Sequence, residues 1–112
     1  MSEKKEIKFT VSLDENHIPE KIEWTASEGG GVENEEIKAM MISVWEPTER
    51  IAKRVDLWTN DMMVDEMKMM LHQTMLTLSD TFERATGDIH NAEEIREFAQ
   101  KFGENVGIVK KG

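Results

Sequence analysis

From Val64 to Ala85 the chain places an apolar residue every three or four positions: Val64, Met67, Leu71, Met75, Leu78, Phe82 and Ala85. That spacing lines all of them along one side of an α-helix of roughly six turns. A helix with such a stripe needs a second layer to cover it. The spacing predicts a helix over about 62–86, with Asp61 as N-cap and Asp65 and Glu66 in the first turn, where negative charge suits the helix dipole. Gly87 is the expected C-cap. Asn91 with Glu94 three residues on reads as a capping box for a second helix over about 92–106. Its apolar face is Ile95, Phe98, Ala99 and Phe102, and the tail 109–112 is expected to fray.

Upstream the period changes from 3.6 to two. In 6–13 the residues Ile7, Phe9, Val11 and Leu13 alternate with Lys8, Thr10 and Ser12, as a half-buried antiparallel strand does. A turn at 14–16 leads into a second strand over 18–24, carrying Ile18, Ile22 and Trp24. Residues 25–35 then lose all periodicity around Gly29, Gly30 and Gly31, and read as a flexible connection rather than a phosphate cradle. Further strands are expected over 36–45 and 51–58, joined by a turn containing Pro47. The expected architecture is α+β and a single domain over 1–112: a four-stranded antiparallel meander, then two helices across one of its faces (ββββαα).

The strand 36–45 is apolar on both sides. Met40, Ile42 and Val44 form one row, and Ile37, Ala39, Met41 and Trp45 the other. Only a strand covered on both faces should look like this. On the long helix Met62, Met69 and Leu76 recur every seven residues away from the main stripe. These either fill gaps in the core or form a face for a partner, which adaptable methionines suit. Trp24, Trp45 and Trp58 pose the same choice between core anchor and binding hot spot. Surplus apolar surface of this kind predicts a homo-oligomer, most simply a twofold dimer. Its contacts would come from Ile37, Ala39, Met41 and Trp45, from Trp58, or from Met62, Met69 and Leu76.

Charge and composition exclude other roles. With 14 basic and 23 acidic residues the net charge is -9, and no basic block offsets it. Nucleic acid and anionic membrane surfaces are held by clustered Lys and Arg, so neither is an expected partner. There is no apolar run long enough to span a membrane, and MSEKKEIKF carries no apolar stretch that would mark a secretory signal. Without cysteine there is no disulfide or thiolate chemistry. The expected compartment is the cytoplasm.

Nothing in the chain matches a catalytic pattern. His17, His72 and His90 show no ligand spacing, and no cysteine could complete a zinc site. Ser12, Ser27, Ser43 and Ser79 lack a nucleophile-elbow context. No enzyme activity and no cofactor are expected.

The segments IKFTVSLDENHIPEKIEW, MMISVWEP, DLWTNDMMVDEM and DTFERATGD resemble the gliding motility-associated GldC family, in order and over nearly the whole chain. Met63 stands where that family often has proline. The resemblance implies an accessory protein of bacterial gliding motility, without enzymatic chemistry, whose partner is a protein of the motility or secretion machinery. As an alternative, four antiparallel strands followed by two helices on an acidic, Met-rich chain are similar to the export chaperone SecB. That likeness implies binding of unfolded polypeptide, and it is one of fold alone.

Overall fold

The computed structural model describes residues 3–27 and 31–111. Among the described residues five strands and two helices follow one another as β1 (Ile7–Leu13), β2 (Pro19–Ala26), β3 (Val32–Ile37), β4 (Ala39–Glu46), β5 (Ile51–Trp58), α1 (Val64–Thr86) and α2 (Ile89–Asn105). The class is α+β, with all the strands antiparallel. The chain divides into two compact units, Met1–Met62 and Met63–Gly112.

The single four-stranded meander is not what forms. The strands build one sheet of three, in the order β1-β2-β3, and one of two, β4-β5. The expected strand 36–45 breaks at Lys38 because its neighbour changes there. Up to Ile37 the chain pairs with β2, placing Ile37 opposite Ile22. From Ala39 it pairs with β5, and the Thr59 N–H donates to the Lys38 carbonyl at 2.8 Å where the new ladder starts.

The connection expected over 25–35 is largely strand. Residues 28–30, with Gly29 and Gly30, lie outside the described residues. Around them Thr25 and Ala26 extend β2, and Val32 opens β3 opposite Ala26. The Thr25 hydroxyl accepts the Asn34 N–H at 3.0 Å, and the Trp24 indole donates to Glu35 at 2.9 Å. These bonds hold polar residues with poor strand propensity in an extended ladder.

Two carboxylates shape the turns of the sheet unit. Asp14 accepts the N–H groups of Asn16 and Ile18, closing the β1–β2 turn around a left-handed His17. Glu46 accepts those of Thr48 and Glu49 between β4 and β5, which holds its carboxyl below the usual range. On the apolar side of the larger sheet Ile22 is fully buried, and Phe9 stacks on Trp24 with ring centroids 6.0 Å apart.

In the helical unit α1 starts at Val64, later than the spacing predicts. The Asp61 carboxylate is already engaged by the Thr59 hydroxyl at 2.5 Å, which lowers its pKa. Met63 is the N-cap instead, and its N–H donates to Glu66 at 3.0 Å. Gly87 closes the helix in the left-handed region at φ 75°. Next, α2 starts earlier than expected, because Asp88 rather than Asn91 is its cap. The Asp88 carboxylate accepts both the Asn91 N–H (3.0 Å) and the Asn91 side-chain amide (2.7 Å).

The two helices meet through small residues. Ala92, Ala99 and Gly103 are buried on one line of α2, and Ser79 is buried on α1. Gly103 lies against His72 of α1. The stripe read as core lies roughly 90° around α1 from Ser79. Of that stripe Val64 and Leu78 are exposed, as Phe98 of α2 is.

Candidate functional site

The expected site residues are all apolar. Period two places Ala39, Met41 and Trp45 on one face of β4, and the register adds β5 residues to it: Trp58 opposite Ala39, and Ala52 opposite Trp45. Each tryptophan therefore lies across from an alanine at opposite ends of the ribbon. Neither is a core anchor, for Trp45 is 62% and Trp58 54% exposed. The opposite face carries Val44, Val55 and Ile51, all exposed too. Val44 belongs to the row Met40, Ile42 and Val44 that the alternation of β4 marks out. The signal that could have found them is β4 itself, apolar on both sides.

Ile37 does not belong to that face. It ends β3 in the other sheet, beyond the break at Lys38. It nevertheless joins Ala39 and Met41 in lining a groove of about 320 Å³. Its lining combines one cross-strand row of the larger sheet, Phe9, Trp24 and Glu35, with Ile37 and Ala39 to Ile42. Glu35 is the one carboxylate among these lining residues, and the Trp24 indole donates to it. The groove thus offers apolar contact and a strand's backbone, without a nucleophile–base pair. A second groove, of about 260 Å³, sets Trp58 beside Ile18, Pro19 and Leu57.

The seven-residue flank is not assembled. Met62 precedes α1, in the turn where its N–H donates to the Thr59 carbonyl, so it shares no helix face with Met69 and Leu76. Met69 is exposed, while Leu76 is half-buried one turn before Ser79, whose hydroxyl donates to the Leu76 carbonyl.

Polar side chains gather elsewhere, on the helices. Arg96 of α2 donates to Asp80 and Glu83 of α1 and to Glu93 of its own helix, each at 2.9 Å, and these acceptors raise its pKa. His90 lies 3.2 Å from Glu94 on an exposed surface, and the buried Nε2 of His72 has no hydrogen-bond partner among the described residues. Among those residues no three His, Asp or Glu side chains are placed to share a metal ion. No described helix is long and apolar enough to cross a membrane.

Residues 19–108 match the family model described as gliding motility-associated protein GldC-like. No curated protein matches the chain, and no solved structure does.

Proposed function

Since the chain belongs to the GldC-like family of gliding motility-associated proteins, we propose that it is a non-enzymatic accessory protein of bacterial gliding motility. It works in the cytoplasm through protein–protein contacts, first with copies of itself and then with a protein of the motility or secretion machinery.

One observation supports this reading: the two-stranded ribbon of the sheet unit carries large exposed apolar side chains on both of its faces, Val44 and Val55 on one and Trp45 and Trp58 on the other. Exposed tryptophans and β-branched residues gathered on one small element are what a protein–protein contact uses. The net charge of -9 directs these contacts away from nucleic acid and toward protein.

The SecB-like alternative gains no support, since its likeness of fold rested on one four-stranded sheet and the described strands divide three and two.

Two measurements test the reading. Size-exclusion chromatography with light scattering should return more than one chain mass, and a monomer at every concentration tested would count against self-association. In a gliding bacterium lacking the protein, the wild-type chain should restore spreading. A folded variant with Trp45→Lys and Trp58→Lys should not. Full restoration by that variant would refute a contact-based role.

A further inference from the structure

The outer edge of β4 is the least satisfied element of the sheet unit. β4 pairs with β5 on one side, and among the described residues no strand pairs with the other. An open edge of backbone N–H and C=O groups invites another strand, and proteins usually blunt it with charge, proline or a bulge. None of these interrupts β4. Ala39 to Trp45 are seven consecutive uncharged residues in a chain that is 33% charged, with Lys38 and Glu46 standing just outside the two ends. By contrast β3 carries Glu33, Glu35 and Glu36, and β5 carries Lys53, Arg54 and Asp56. The groove beside β4 is lined by four consecutive residues of it, Ala39 to Ile42, together with Phe9, Trp24, Glu35 and Ile37 of the larger sheet. Successive residues of a strand point to opposite faces, so a cavity touching all four runs along the edge.

We propose that a second copy of the chain occupies this edge, the two β4 strands pairing antiparallel about a twofold axis at Ile42. Ala39 of each copy then faces Trp45 of the other, Met40 faces Val44, Met41 faces Ser43, and Ile42 faces Ile42. The two ribbons become one four-stranded sheet, β5-β4-β4-β5. Charge fixes the register. With Ile42 at the centre, Lys38 of each copy falls opposite Glu46 of the other, so the charges flanking the uncharged segment meet in opposite-sign pairs, which offset the repulsion between two copies of net charge -9. Centring the pair on Met41 would set Lys38 against Val44, and centring it on Ser43 would set Glu46 against Met40. Only the Ile42 centre maps the uncharged segment wholly onto itself. A twofold axis also gives the self-complementary contact that closed dimers use. This inference rests on the self-association proposed above, and adds where it occurs.

The chain has no cysteine, so a single introduced one reports cleanly. Directly opposed residues of antiparallel strands have Cα atoms about 4.5–5.5 Å apart, within disulfide reach. Ile42→Cys should form a covalent dimer on mild oxidation, whereas Thr10→Cys on β1 should not. Ile42→Lys and Ile42→Glu, each checked for native circular dichroism, should each raise the dimer dissociation constant by about a hundredfold or more, through like charges set directly opposite in a desolvated strand pair. Mixed one to one, they should regain the dimer mass as a Lys–Glu pair. If the wild type is dimeric but Ile42→Cys stays unlinked and Ile42→Lys stays dimeric, the β4 pairing is overturned while self-association stands. A monomeric wild type overturns both. Disulfide capture of a different polypeptide by Ile42→Cys, with copies of the chain staying apart, overturns the second copy as occupant.

Discussion

Gly103 of α2 approaches His72 of α1 so closely that a Cβ on the glycine would lie 2.9 Å from the imidazole Cδ2. It would also lie 2.8 Å from Cγ2 of Val109, whose N–H donates back to the Gly103 carbonyl. Glycine is used here for space, not for backbone freedom. In an exposed helix interior Gly→Ala gains about 1 kcal/mol. Here Gly103→Ala should instead lose about 1–3 kcal/mol, the cost of overpacking a close contact. A chemical denaturation curve followed by helical circular dichroism decides it, and a stabilised alanine variant would refute the packing argument.

Arg96 joins the helices by charge where Gly103 joins them by shape. Its guanidinium serves Asp80 and Glu83 at once, and Glu93 besides. Removing it leaves two like charges three residues apart on α1 without their shared partner. Arg96→Ala should lower Tm more than Arg96→Lys, because an ammonium cannot reproduce the planar fork. Salt near 1 M, where the screening length falls to about 3 Å, should narrow the gap between wild type and Arg96→Ala. Equal Tm values for the three proteins at low salt would show that the cluster contributes nothing.

What could be read in the sequence follows from which residues carry a periodic signal. Ile7 to Leu13 and Val64 to Ala85 do, so the order of antiparallel strands before helices was legible, as was Gly87 at the end of α1. β3 was not, because Glu33, Asn34, Glu35 and Glu36 are strand residues only by virtue of their neighbours in β2. The break at Lys38 was equally hidden: nothing local distinguishes one strand of ten residues from two that change partners. On the helices the large apolar side chains lie away from the line along which α1 and α2 meet. Ser79, Ala92, Ala99 and Gly103 are small, and small residues are what let two helices approach. For the candidate site, alternation alone put Trp45 on the face of Ala39 and Met41. Excluding Ile37 and Met62 required knowing where β3 and the turn before α1 end.

Acid should loosen α2 at its start. Asp88 caps the helix, and the Asn91 bonds, side chain first and backbone second, hold its carboxyl below the usual value. A carboxylate with a depressed folded pKa adds stability that is complete above its unfolded pKa and disappears as pH falls through the folded one. The acid limb of the stability profile, below pH about 4, should therefore be steeper in the wild type than in Asp88→Asn. Asparagine keeps a capping oxygen but does not titrate. Superimposable acid limbs would show that the cap is uncoupled from protonation.

The tryptophans of the sheet unit should separate cleanly into two kinds. Trp24 is partly covered, stacked on Phe9 at an interplanar angle of 12°, and bonded to Glu35. Trp24→Ala should cost about 3 kcal/mol of stability, as aromatic truncations in cores do. Trp24→Phe should recover much of that by keeping the stack while losing the indole bond. Trp45 stands in water with only Ala52 opposite it in the register. Trp45→Ala should leave denaturant stability, extrapolated to the monomer, within about 0.5 kcal/mol. The same change should raise the self-association constant for dissociation at least about tenfold, measured by sedimentation over a dilution series. A Trp45→Ala chain that is destabilised but associates normally would reverse the assignment, making Trp45 a structural residue and leaving the ribbon without its aromatic anchor.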